Sequence, residues 1–364
     1  MPAIANTGHR VTVIAHANET KRFEVENGRV AVSHVRLPGL HWYLGKVPFA
    51  KSFAPLPLRQ IEWSRAFCRE AARIATEDRI DVIEATEIGS LSLQRVAPLV
   101  IRLHGSERTF REHSNMPLNP SVRWNDTLEA RACARAAAIT APSQFHADEM
   151  TRRRDWPAGR VRVIPNPISQ AVINAARKFE RNGNNEMTVL YAGRLAPVKG
   201  IETLLRAAKL VLSKNPSVKF VLAGPWQMPQ PPETFGLNGN GKPNGVRWVG
   251  PQTPAELTKL YQHASAVVVP SNYESFGITA LEAKAFGAAV VATNAGALPE
   301  IVEQTNLVPS NNPEALSDAI ISVLANNSFR ETAAAREAIW QRYAPEQIAR
   351  QTMDLYESVV RGSR

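Results

Sequence analysis

From Arg10 to Thr293, short apolar runs rich in β-branched residues alternate with longer stretches of helix-like composition. RVTVIA, VAVSHV, DVIE, PLVIRL, AAITA and VRVI come first, and TVLYAG, VKFVLAG, VRWVG, AVVVPS and AAVVAT follow. Strand and helix in alternation call for a parallel sheet with helices crossing over its faces. The expected fold class is therefore α/β, with doubly wound sheets. The series breaks once, at NPISQAVINAARKFERNGNNE, whose Asn-rich end reads as a linker. The expected organisation is an N-terminal domain over 1–170, a linker over 171–187, a C-terminal domain over 188–340 and a last helix over 341–364, free to pack on either domain. At roughly 150 residues per domain, the length also suggests two cores.

Charge separates the halves. Residues 1–170 hold 24 Lys/Arg against 17 Asp/Glu, which is most of the formal net charge of +10, so this half is the one to face an anionic partner. Cys68 and Cys133 are the two cysteines, both in helix-like stretches, which suits a reducing cytosol and excludes a disulfide framework. No metal-ligand spacing, no signal peptide and no apolar run long enough to span a bilayer is read. Residues 40–75 mix Trp42, Tyr43, Phe49, Phe53 and Trp63 with Lys46, Lys51, Arg59 and Arg65. Peripheral contact with an anionic membrane accounts for that mixture, and so does a loop packed on its own domain. Trp226–Gly245 is crowded with Pro, Gly and Asn and reads as a loop.

The residues that carry chemistry follow the second set of strands. VLYAG ends at Gly193, and Arg194 and Lys199 come directly after it. Arg offers a bidentate fork and Lys a point charge, which together suit a diphosphate. ESFGITALEAKAFGAAVVATNAGALPE runs from Glu274 to Glu300. A helix started near Gly277 turns Ile278, Leu281, Ala285 and Ala288 inward and leaves Glu282 at the edge of that stripe. The amides from Ser275 through Phe276, Gly277 and Ile278 to Thr279 open that helix and form a second anion site. A ribose wants a carboxylate acceptor, which Glu282 supplies, leaving Glu274 for the other end of the ligand.

With these residues in view, the chain resembles the GT-B nucleotide-sugar glycosyltransferases of family 4, the glycosyl transferases group 1. Glu274 and Glu282 match its E-x7-E pattern, GRL with the following KG matches its phosphate segment, and LPEIV continues the match. The resemblance is close over 188–302 and looser over 9–168, through TGHRVTVIA, RLHGS, APSQFHADEM and VIPNPI. It implies two Rossmann-like domains facing across a cleft. It also implies a donor diphosphate neutralised by Arg194 and Lys199, a ribose on Glu282, a donor-sugar hydroxyl on Glu274 and His104 beside the reacting sugar. Family members open with a strand and a glycine-rich loop ahead of the helix ending in GH-V-V. This chain starts inside that helix, so an interrupted sheet with two unpaired strand edges is expected in the N-terminal domain. An upstream start or a rearranged domain would explain it.

The expected activity is transfer of a sugar from a nucleoside diphosphate sugar to an acceptor hydroxyl, sugar, lipid-linked or other, with retention at the anomeric carbon, in glycan or glycolipid biosynthesis. Arg194, Lys199 and a helix N-terminus stabilise a leaving diphosphate without a metal, so no cofactor beyond the donor is expected, and no nucleic-acid partner. The expected setting is the cytoplasm or the inner face of the membrane. Two other readings use the same scaffold: a sugar-nucleotide epimerase or phosphorylase, and a non-catalytic GT-B remnant that binds a partner. A dinucleotide oxidoreductase is disfavoured because no G-x-G-x-x-G opens either domain.

Overall fold

The structure is a computed structural model and describes residues 2–25, 28–37, 39–47, 49, 55–180, 187–237, 245–326 and 331–362. It divides into two compact units, one of Met1–Pro165 with Glu346–Arg364, the other of Asn166–Pro345. The chain thus passes from the first unit to the second and returns.

Unit 1 contains two sheets. β1 (Val11–His16), β2 (Lys21–Val25) and β3 (Val30–Val35) lie in the order β1-β3-β2, with β1 parallel and β2 antiparallel to β3. β4 (Ile83–Thr86), β5 (Leu99–Arg102), β6 (Ala138–Ala141) and β7 (Val161–Val163) form a parallel sheet in sequence order. β1 and β4 each pair with one neighbour, so the interruption expected in this sheet is present among the described residues. The helix Pro55–Glu77 ties the two pieces together. Its Trp63 ring packs 5.8 Å from that of His16 and 5.7 Å from Phe67, and Phe67 shares a core with Ile14 of β1 and Ile83 and Ala85 of β4. β2 is a strand the apolar runs did not announce, because KRFEV is mostly exposed and polar.

Unit 2 is one parallel sheet in the order β10-β9-β8-β11-β12-β13. Its strands are β8 (Thr188–Ala192), β9 (Lys219–Ala223), β10 (Val246–Gly250), β11 (Ala266–Val269), β12 (Ala289–Thr293) and β13 (Leu307–Val308). Side chains alternate faces, so Leu190 and Ala192 enter one core and Val189 and Tyr191 the other. From β8 the chain winds outward through β9 and β10, then returns to β11 on the other side of β8. The loops after β8 and β11 therefore flank the point where the winding reverses, which is where open α/β sheets hold ligands.

Two expectations about boundaries are corrected. Within the expected linker 171–187, Gln170–Arg177 is a helix of unit 2: Ser169 caps it by accepting from the Val172 N–H at 3.2 Å, and Val172, Ile173 and Ala176 are buried. Its apolar spacing outweighs the Asn-rich end, of which 181–186 lie outside the described residues. The last helix, described over Pro345–Gly362, starts at Pro345 and not at 341, since a separate helix, Ala333–Arg342, ends before it. It belongs to unit 1, where Ile348, Leu355, Tyr356 and Val359 pack on Val100 and Ile164. Of the expected loop 226–245, residues 226–237 are irregular apart from a 3-10 turn at Pro232–Phe235, and 238–244 lie outside the described residues.

The helix Pro120–Ala134 carries Glu129, 2% exposed, against its own Asn125, whose Nδ2 donates to Glu129 Oε1 at 2.7 Å. Burial, with nearby Glu87 adding to it, pushes the Glu129 carboxyl up from 4.5 to about 8. A raised folded-state pKa gives stability that is full below the unfolded value and is lost as pH rises through the folded one. The midpoint of thermal unfolding should therefore fall between pH 5 and about 8. Glu129→Gln, which keeps an acceptor for Asn125, should flatten that slope; an identical slope in the variant would contradict the buried neutral acid.

Candidate active site

Two close backbone contacts shape the exit of β8. Gly193 follows the strand, and a Cβ on Gly224, at the end of β9, would fall 1.8 Å from the Gly193 carbonyl oxygen. The Tyr191 hydroxyl donates to the Arg194 carbonyl at 2.6 Å, and burial keeps that phenol protonated by raising its pKa well above the usual range. Leu195 N–H then donates to Pro225 O at 2.9 Å, so the loop leaves the sheet on a fixed path. Arg194 is exposed, with its guanidinium 3.4 Å from Gln227 Oε1. At the end of the loop Gly200 has φ +67°, and a Cβ there would lie 1.8 Å from Pro270 O. That contact draws the β8 loop onto the segment leaving β11.

The contact brings Lys199 to Glu274. Lys199 Nζ donates to Glu274 Oε2 at 2.7 Å, with the two side chains 20% and 16% exposed. Ser271 Oγ donates to the same oxygen at 3.3 Å. The Glu274 main chain is also held, because the Ala297 N–H donates to Glu274 O at 2.8 Å and Gly296 approaches so closely that a Cβ would lie 2.1 Å from that oxygen. Gly277, at φ +98°, then opens the helix Ile278–Ala285. Phe276 is buried, edge-on to Tyr343, and Thr279 Oγ1 donates back to Ala192 O at 3.1 Å. Helix start and β8 end are thereby fixed to each other. Leu281 and Ala285 are buried as expected. Ile278 is 37% exposed, correcting the inward orientation expected of it. It is the first residue of the helix, too early in the turn to reach the core beneath.

Glu282 is partly buried one turn further along, and its Oε2 accepts from the Tyr261 hydroxyl at 3.0 Å. Burial raises the Glu282 pKa and the Tyr261 hydrogen bond opposes that shift. Tyr261 is fully buried and stacked on Phe286 at 5.9 Å. Unit 2 thus gathers Gly193, Arg194, Lys199, Glu274 and Ser275–Thr279 at one sheet edge, with Glu282 deeper in the same helix. His104 stands in unit 1, exposed, directly beyond β5. Partial burial of its ring lowers the imidazole pKa, and Glu87 opposes this. Tyr261, Ser271 and Glu87 are partners that sequence reasoning missed. Tyr261 sits in an ordinary helical stripe, and nothing in that spacing points it at Glu282.

Comparison with known proteins decides the family. Residues 2–172 match the glycosyltransferase family 4 description and residues 172–340 match glycosyl transferases group 1. An uncharacterized glycosyltransferase of Methanocaldococcus jannaschii is 33% identical over 97% of this chain and 91% of its own. The chain belongs to glycosyltransferase family 4. This family 4 chain is also 28% identical to a D-inositol 3-phosphate glycosyltransferase of Nocardioides sp., over 74% of this chain and 64% of that protein. Its fold is GT-B. Sucrose-phosphate synthase from Thermosynechococcus elongatus superposes with a TM-score of 0.75 at 22% identity, over 99% of this chain and 91% of that one. Anabaena HepE, solved in complex with UDP and glucose, superposes at 0.64 with 21% identity, over 92% and 88%.

Proposed function

We propose that this glycosyltransferase takes its sugar from a nucleoside diphosphate donor and passes it, with retention, to an acceptor hydroxyl in glycan or glycolipid synthesis. The observation that carries the reading is the Lys199–Glu274 pair beside the start of the helix Ile278–Ala285, at the reversal point of the unit 2 sheet. A donor diphosphate meets Arg194, Lys199 and the helix N-terminus there, where negative charge is stabilised as the anomeric C–O bond breaks. Glu282 takes the ribose and Glu274 a hydroxyl of the donor sugar, and His104 is the residue of unit 1 that takes part in transfer.

The engagement of Glu274 supports transfer without a covalent intermediate. One of its oxygens already accepts from Lys199 and Ser271, which suits it to hold a hydroxyl and not to attack carbon. The departing diphosphate then takes the proton of the acceptor hydroxyl on the face it leaves. The HepE structure makes uridine diphosphate sugars the first donors to test, with guanosine diphosphate sugars beside them. Lys199→Ala and Arg194→Ala should each lower turnover on the order of 10²–10³-fold, as loss of one preorganised donor does. Glu282→Ala should weaken UDP or GDP binding in calorimetry, whereas Glu274→Ala should slow transfer and leave that affinity nearly intact. Wild-type turnover in both cation variants, or equal loss of nucleotide affinity in both glutamate variants, would overturn these roles.

The acceptor side includes a membrane surface. Leu40, Trp42, Tyr43, Val47 and Phe49 are exposed within ten residues, and Lys46 Nζ lies 3.4 Å from the centre of the Trp42 ring. The short helix Leu40–Leu44 is anchored from behind, where Glu62 accepts from the Leu40 N–H at 2.9 Å and pairs with His41. Apolar rings with a cation among them suit an anionic lipid headgroup layer, to which each basic residue adds about 1 kcal/mol. Lys51 and Phe53 lie outside the described residues. No helix among the described residues is long and apolar enough to cross a membrane. The protein should sediment with phosphatidylglycerol liposomes at low salt, and less so at high salt or after Trp42→Ser with Lys46→Ser. Retention in the supernatant at low salt would favour a soluble acceptor.

A further inference from the structure

Glu87 directly follows β4, and His104 follows the last residues of β5, so both stand at one edge of the four-stranded sheet in unit 1. Glu87 is 4% exposed. Its Oε1 accepts the His104 N–H at 3.3 Å and the Gly105 N–H at 3.1 Å, so one oxygen closes the turn that carries the histidine. Gly105 has φ +122°, and a Cβ there would meet nothing within 4 Å, so conformation and not crowding calls for glycine. The turn then enters the helix Glu107–His113, capped by Ser106, whose Oγ accepts from the Thr109 N–H at 3.1 Å. Glu87 is held in its own main chain as well. Buried Gln60 donates to its carbonyl at 3.4 Å while accepting from the Gly89 N–H at 2.5 Å, and Ser90 Oγ donates to the same carbonyl at 3.3 Å.

Glu87 Oε2 is buried and has no hydrogen-bond partner among the described residues. A carboxylate in that state is costly, and a neutral amide would close the same turn without the cost. The charge therefore calls for a use beyond capping. We propose that Glu87 is a positioning residue for His104, closing the turn that carries the histidine and setting a carboxylate beside its ring. This rests on the reading of His104 given above and extends it. The other titratable groups that face the ring are Glu84 on β4, Arg102 on β5 and His146 on the helix Gln144–Arg154. Arg102 is paired with Glu84 at 3.1 Å, and Glu129 behind Glu87 is held neutral near pH 7 by a pKa of about 8. A charge on Glu87 favours the protonated imidazole.

Glu87→Gln keeps an acceptor for the two amides and removes the charge. His104 is titrated by NMR in the full chain with carbon-13-labelled histidine, and turnover is read as UDP or GDP release from UDP-glucose or GDP-mannose, whichever the wild type consumes. The variant should titrate His104 at lower pH, with kcat down on the order of 10- to 100-fold and KM for the donor little changed, the mark of a lost charge beside the histidine and not of lost binding. A His104 titration that superposes on the wild type would overturn the proposal. His104→Ala separates the two readings: unchanged turnover there removes His104 from transfer, while the titration in Glu87→Gln still decides whether Glu87 acts on the histidine.

Discussion

The ion pair between Lys199 and Glu274 joins two loops that the chain builds 75 residues apart, and the candidate donor site depends on that junction. Neither side chain would meet the other without the backbone contacts beneath them. Gly200 lets the β8 loop touch Pro270 O, and Gly296 lets the segment after β12 touch Glu274 O. An alanine at either place puts a carbon inside the van der Waals radius of an oxygen on fixed backbone. The pair is partly buried, so each charge needs the other in the absence of ligand. A diphosphate would compete with Glu274 for Lys199 and release the carboxylate toward a sugar hydroxyl. In the proposed role, the loops that carry cation and carboxylate are set before a donor binds, and only the side-chain partners exchange.

Unit 1 uses the same device with different parts. There a buried carboxylate, not a cation, spans two strand ends, and Glu87 holds the turn of His104 as Gly200 and Gly296 hold the turns of unit 2. The interruption between β1 and β4 is bridged by the helix Pro55–Glu77, whose Gln60 also holds Glu87 and Gly89. One helix therefore links the sheet pieces and supports the loop that bears the histidine.

The strand alternation and the Glu274–Glu282 spacing were legible in the sequence because burial on both faces of a parallel sheet forces runs such as AVVV and AVVAT. Every apolar run that was read as a strand is one. β2 and β13 escaped because edge strands need no such run, and KRFEV and LV carry little signal. The helix Gln170–Arg177 was hidden by the polar stretch after it, and Ile278 faces outward because helical periodicity sets a stripe but not where a helix starts relative to the core. Arg194, Lys199 and Glu274 were visible as charged residues just past strands. The pairing of Lys199 with Glu274 was not, since it depends on glycine contacts between loops. Glu87 was invisible for a related reason: a glutamate after a strand looks like any loop carboxylate until the next strand supplies the amides it closes on.

The most direct test is hydrogen–deuterium exchange of the full chain with saturating UDP, and with GDP in parallel. A donor site at the reversal point of the unit 2 sheet predicts slower exchange in peptides spanning 193–200 and 275–282 with at least one nucleotide, with the rest of that sheet's edge little changed. Nucleotide-dependent protection confined to other segments, or none with either nucleotide, would contradict it.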